Sequence, residues 1–170
     1  GIVTDKIYYG ADSQITQDNG TVSVTSVYAR KDFRIAGLHL DHKVLLQWST
    51  NQEVAPVPLL SAFLSYYYEF CVVRNVLRLQ IGLDGRYNTR YYAPGYNPAL
   101  SAFYNQREVE VGNYPYMDAF VMGKWKRMRI FLKYQHVNKG LFGNGEYFSA
   151  AGYPLNPGMF KIGISWGFYD

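Results

Sequence analysis

The feature that most constrains this chain is a strict two-residue alternation between Val76 and Tyr92. Leu77, Leu79, Ile81, Leu83, Tyr87 and Tyr91 fall on one side of it. Arg78, Gln80, Gly82, Asp84, Arg86, Asn88 and Arg90 fall on the other. Side chains of an extended chain point alternately to its two faces, so the stretch reads as a strand between an apolar and a polar medium. It is also long, since a strand of a soluble domain usually has about 5–6 residues.

Other segments repeat the pattern. Leu38, Leu40, Val44, Leu46 and Trp48 oppose His39, Asp41, Lys43, Gln47 and Ser49. Leu60 through Val72 alternates with Ser61, Ser65, Tyr67 and Glu69 on its polar side. Met117, Ala119, Val121 and Trp125 oppose Asp118, Lys124 and Lys126, and Phe160, Ile162, Ile164, Trp166 and Phe168 oppose Lys161, Gly163, Ser165, Gly167 and Tyr169. The periodicity predicts eight strands, near residues 2–9, 21–33, 37–49, 60–72, 76–91, 115–126, 129–138 and 159–169. Short connections near Arg34–Ala36, Val73–Asn75 and Arg127–Met128 alternate with long ones over about 10–20, 50–59, 92–114 and 139–158. The long ones are rich in Gly, Pro, Asn and Asp, as loops are.

Short turns on one rim and long loops on the other are the pattern of an all-β, antiparallel up-and-down transmembrane β-barrel. Residues 1–170 would form a single such domain or the C-terminal portion of one. A soluble β-sandwich or lipocalin-like barrel shows the same alternation with its apolar faces turned inward, and periodicity alone does not separate the two. Two features favour the membrane: the strands reach the roughly 9–11 residues that cross a bilayer at a tilt, and Trp48, Tyr66, Tyr91, Tyr92, Trp125, Trp166 and Phe168 sit near strand ends. The expected place is the bacterial cell outer membrane, with its lipid as a partner and the short turns in the periplasm.

Composition agrees. Charged residues make up 18% of the chain, below the usual share of about 25%. Aromatics also reach 18%, with 17 Tyr, whose apolar body and polar tip suit a membrane–water interface or a wet wall. A net charge of +4 gives no reason to expect a nucleic-acid partner. Cys71 is the only cysteine, which excludes an internal disulfide framework. No leader pattern opens the sequence, so any export signal is expected to have been removed or to lie outside it. No apolar run approaches the roughly 18 residues of a spanning helix, which does not bear on barrels.

Candidate chemistry is sparse. His39 and His42, three apart on a strand, face opposite sides and are expected to be solvated or lumen residues rather than metal ligands. Gly140, Gly143 and Gly145 lack the strand–helix context and the Lys of a phosphate loop, so a flexible connection is expected. The basic run Lys124, Lys126, Arg127, Arg129 and Lys133 reads either as a nucleic-acid or phosphate site or as a tight barrel turn whose basic groups sit at a rim or in the lumen; the turn is expected, since alternation would scatter the charges over both faces. Arg78, Gln80, Asp84, Arg86, Asn88 and Arg90, with Glu69, Asp118 and Lys124 on neighbouring strands, are the candidate lumen-lining residues. They could set which ions pass, or hold a plugged lumen together by salt bridges. No nucleophile–base–acid set stands out, so neither an enzyme nor a cofactor is expected.

Several runs carry a family resemblance. They are Tyr96-Asn97-Pro98, Phe103-Tyr104-Asn105-Gln106, Gly112-Asn113-Tyr114-Pro115-Tyr116-Met117-Asp118, Tyr134-Gln135-His136-Val137-Asn138, Tyr153-Pro154-Leu155-Asn156-Pro157 and the closing Gly163-Ile164-Ser165-Trp166-Gly167-Phe168-Tyr169-Asp170. With these runs the chain resembles the C-terminal part of the putative porin family of Bacteroidota outer membranes. Members of that family are much longer, so the resemblance implies the last strands of a larger barrel, partnered by N-terminal strands not present here or by another chain. Ile164, Trp166 and Phe168 resemble the terminal signal read by the barrel assembly machinery, although the chain ends on Asp170 rather than on an aromatic residue. The function implied is a porin-like barrel passing small solutes by diffusion through a polar lumen. The alternative is a structural or binding barrel without an open channel, whose loops at 92–114 and 139–158 contact a partner protein or polysaccharide.

Overall fold

In the computed structural model, which describes residues 1–141 and 147–168, the alternating segments pair into one antiparallel sheet. Gly143, Gly145, Tyr169 and Asp170 lie outside the described residues. The strands are β1 (Ile2–Thr4), β2 (Ile7–Tyr9), β3 (Ile15–Gln17), β4 (Thr21–Ile35), β5 (Leu38–Ser49), β6 (Leu60–Val73) and β7 (Leu77–Asn88), followed by β8 (Gly95–Asn97), β9 (Ala102–Tyr104), β10 (Tyr116–Trp125), β11 (Met128–Gln135), β12 (Phe148–Ala150), β13 (Tyr153–Pro154) and β14 (Met159–Trp166). The main sheet has eight strands in the order β1-β4-β5-β6-β7-β10-β11-β14. Each wall strand follows its predecessor up and down, as expected of a porin-type barrel wall. The sheet is not closed: β1 and β14 do not pair with each other.

The three tight turns lie at one end. Ala36 and Gly37 both have positive φ, 45° and 89°, the mirror-type turn whose twist matches a β-hairpin. A side chain on Gly37 would lie 2.7 Å from the Glu69 carbonyl oxygen. Asn75 and Lys126 take the left-handed conformation in the next two turns, at φ 59° and 51°. These turns fall one residue away from the expected positions.

Some boundaries differ from the expected ones for identifiable reasons. The strand expected over 2–9 breaks at Asp5, whose φ is 50°; only β1 joins the main sheet, along Thr21–Ser23 of β4. The strand expected over 76–91 ends at Asn88, because the Tyr91 backbone pairs with Val111 instead. The strand expected over 129–138 ends at Gln135, where His136 turns to φ 56°. Tyr66 does not sit at a strand end: it lies in mid-sheet, opposite Leu40 and Leu83.

The long connections are also more than loops. β2 and β3 form one hairpin, β8 and β9 another, and β2 pairs with β9 in parallel at Tyr9 and Tyr104. The result is a four-stranded cap, β3-β2-β9-β8, at the end opposite the tight turns. Side chains pin the cap to the 50–59 connection. Asn105 Nδ2 donates to the Glu53 carbonyl at 2.6 Å, Lys6 Nζ donates to the Val54 carbonyl at 2.7 Å, and Arg107 pairs with Glu53.

Burial separates the two faces of the sheet. The fully buried apolar residues, Val22, Val54, Ala93, Val111 and Tyr114, all lie at the capped end. Among the described residues nothing covers the apolar face of the sheet. Ile162 is 69% exposed, Ile164 66% and Trp166 59%, and Val27, Ile35, Ile81 and Leu83 are exposed as well. A soluble sandwich would have buried this face, whereas here it forms a continuous apolar surface. One polar pair lies on it: the Tyr66 hydroxyl, in the middle of the face, is 2.8 Å from His42 Nε2.

Candidate functional site: the charged face of the sheet

Register places the polar residues in rows that cross the strands. Below a row of Tyr28, Leu45, Ser61 and Asn88 nearest the cap, a basic row joins Arg30, Lys43, Phe63, Arg86 and Tyr116, each directly opposite the next. Two residues further from the cap, about 7 Å along the strands, lies an acidic row of Asp32, Asp41, Ser65, Asp84 and Asp118. The next row runs Arg34, His39, Tyr67, Gly82, Phe120, Lys133 and Lys161. Gly82 has no side chain because one would lie 2.5 Å from Tyr67 Cβ and 2.8 Å from the Phe120 ring. A row of Glu69, Gln80 and Met122 follows, and the row nearest the tight turns joins Cys71, Arg78, Lys124 and Arg129.

The centre of this face is a buried ion cluster. Lys133 Nζ lies 2.7 Å from Asp84 Oδ2 and 3.0 Å from Asp118 Oδ2, bridging two carboxylates on adjacent strands. Ser65 Oγ donates to Asp84 Oδ1 at 2.8 Å. Asp118 is 1% exposed, and its Oδ1 accepts the His136 backbone N–H at 3.1 Å. Charges this deep persist because they are paired and hydrogen-bonded. Towards the turns, Arg78 pairs with Glu69 at 3.1 Å and Gln80 Nε2 donates to the same carboxylate at 2.6 Å. Towards the cap, Lys43 and Arg86 flank the Phe63 ring at 5.0 and 5.9 Å, and Arg30 pairs with Asp32 at 3.0 Å. Positive charge over a ring face is favourable, which holds both cations on the polar side.

Just below the cap lies a cavity of about 330 Å³ between Arg86, Tyr91, Tyr116, Gln135, Tyr147 and Leu155. Burial raises the ionisation of the Tyr91 and Tyr114 hydroxyls above the usual phenol range.

Arg78, Gln80, Asp84, Arg86, Asn88, Glu69, Asp118 and Lys124 therefore share one face of the sheet. Arg90 does not belong with them: it lies beyond the end of β7, exposed, because the chain has already turned towards Val111. The basic run forms a tight turn, as expected, with Lys126 and Arg127 at its tip; the scattering over both faces does not occur, since Lys124, Arg129 and Lys133 all face the polar side. Sequence reasoning leaves Lys133 out of the lining, as it does Arg34, Lys43, Arg129 and Lys161 on the same face. His39 stacks on Tyr67 at 4.6 Å on the polar face and His42 lies on the other face. Among the described residues no three His, Cys, Asp or Glu converge as metal ligands. Ile164 and Trp166 lie on the apolar face of β14, and Phe168 lies past its end, 84% exposed.

The family model described as Putative porin matches residues 2–170. The chain belongs to the Putative porin family. No curated protein and no solved structure matches it. In this porin-family chain all but the last of the runs that carried the resemblance lie at the capped end, whereas Trp166 of the closing run pairs with Met128 beside the tight turns. The Met117 backbone N–H donates to Asn138 Oδ1 at 3.0 Å, and Asn138 Nδ2 donates to the Pro115 carbonyl. His136 Nδ1 lies 2.8 Å from the Asn156 carbonyl and donates to it, and Nε2 lies 2.7 Å from the Tyr114 hydroxyl. Gln106 Nε2 donates to the Ala93 and Val109 carbonyls at 2.7 and 2.8 Å. These bonds tie the capped ends of β10 and β11 to the connections beside them and fold the 92–114 connection onto itself.

Proposed function

We propose that this porin-family chain forms part of the wall of a water-filled passage through the bacterial outer membrane, by which small polar solutes diffuse passively. One observation carries the proposal. The same strands expose an uncovered apolar face and, on their reverse, a face of ordered charges. Lipid satisfies the first and water the second, and a barrel wall is the arrangement that meets both at once. In this reading the short turns lie in the periplasm and the cap faces outward. The lumen residues are those of the polar face, and no covalent chemistry or cofactor takes part. Outer-membrane lipid covers the apolar face. The barrel assembly machinery reads Ile164, Trp166 and Phe168, and further strands or a second chain complete the sheet. Conductance of the full-length protein in planar bilayers tests the passage: discrete channel events are expected, and their absence rejects it.

The cap favours a second reading, a binding barrel without an open channel. Its loops are tied to one another across the opening, as a receptor surface would be. The same recording separates the two, because a closed binding barrel inserts without conducting.

A further inference from the structure

We infer that the passage prefers anions, and that its narrowest charge filter is the row Arg78–Lys124–Arg129 beside the tight turns; this rests on the pore reading above. Most of the carboxylates on the polar face are engaged inside the wall. Asp84 and Asp118 share Lys133, Asp32 pairs with Arg30, and Glu69 pairs with Arg78. Asp41 is the one acid on these rows without an ion pair among the described residues. The cations are in surplus. Arg34, Lys43, Arg86, Lys124, Arg129 and Lys161 project from the same face with no carboxylate within ion-pair distance among the described residues. A wall that neutralises its own acids and leaves its bases free presents a positive potential to whatever fills it.

The surplus is densest at the turn end. Arg78 faces Lys124 directly, and Lys124 faces Arg129 directly. Like charges directly opposite one another across strands are destabilising. Among the described residues Glu69 is the one carboxylate paired with this row, and it is committed to Arg78. A cavity of about 240 Å³ opens there between Asn75, Arg78, Lys124 and Lys126. It is large enough for a small oxyanion; Arg78, Lys124, Lys126, the Asn75 amide and the Cys71 thiol line it, and Arg129 stands opposite Lys124 outside the lining. Chloride, inorganic phosphate and small carboxylates are the solute class this row would gather, since rings of Arg and Lys select anions in pores.

Reversal potential under a KCl gradient tests the inference in the full-length protein. The expected potential lies on the chloride side. The double variant Lys124→Glu, Arg129→Glu is expected to keep conducting and to lose roughly tenfold in chloride-over-potassium permeability, the lower end of what a focused surface field gives. A potassium-preferring wild type, or a double variant whose potential does not move, overturns the inference while leaving the passage intact. Should the protein not conduct, the pore reading fails and the anion row is decided separately. In detergent at constant ionic strength, inorganic phosphate should raise the urea midpoint of the wild type and not that of the double variant. An equal response of the two rejects the row as an anion site.

Discussion

Lys133 keeps two carboxylates on neighbouring strands from repelling each other. With Asp118 almost fully buried, and both Asp84 and Lys133 largely covered, removing the ammonium would leave buried negative charge with no counterion. Lys133→Met should therefore destabilise the refolded barrel by about 3 kcal/mol. The triple variant that adds Asp84→Asn and Asp118→Asn should recover much of that loss, because the amides need no counterion. Urea midpoints of the three proteins check this; a triple variant no better than the single one would show that packing, not charge, is at stake. Part of this cluster was legible in the sequence. Asp84 and Asp118 fall on the polar side of their own strands by period two. The role of Lys133 was not, because register across strands decides which side chains meet. The basic run shows why. Lys124 and Arg129 are five residues apart, which puts them on opposite faces of a continuous strand. The two-residue turn at Lys126 and Arg127 folds the chain back so that they stand side by side.

Wall strands were the most readable elements, because a medium change across the sheet writes itself into every second residue. Their ends were less so. Asp5 and His136 stop strands by adopting positive φ, a choice set by partners far along the chain. The cap was invisible, since it is held by side-chain-to-backbone bonds such as Asn105 to Glu53 and Val54, and these leave no periodic trace. At the tight turns, local chemistry does decide. Gly37→Ala would place a methyl group 2.7 Å from the Glu69 carbonyl on a residue held at φ 89°. It is expected to cost about 1–3 kcal/mol. Gly85→Ala, whose nearest neighbour would be Leu64 Cβ at 3.9 Å, should cost far less. Comparison of the two unfolding midpoints in detergent is the check, and equal losses would remove the turn from the explanation.

For the molecule as a whole, the two faces of one sheet must sit in different solvents. Leu132→Arg puts a guanidinium on the apolar face of β11, where a charge costs about 2–4 kcal/mol at mid-membrane depth. Gln80→Arg puts the same group beside Glu69 on the charged face. Membrane-fraction yield and heat-modifiable gel mobility should fall for the first variant and hold for the second; the reverse order would mean that the faces have been assigned to the wrong media. The outer edges of the sheet pose a second demand. β1 covers only the start of β4, and β14 has β11 on one side alone. Backbone N–H and C=O groups left unpaired in lipid cost several kcal/mol each, so pairing of these edges and entry into the bilayer must occur together. The cap has a different consequence. Its parallel contact at Tyr9 and Tyr104 joins the segment after β1 to the segment between β7 and β10, reaching over β4, β5, β6 and β7. The cap is thus a fixed gauge. Its two hairpins hold the ends of that arc at a set separation, so in the passage proposed above the spread of β4 to β7 would be set by a brace across their ends rather than by the grip of neighbouring wall strands alone.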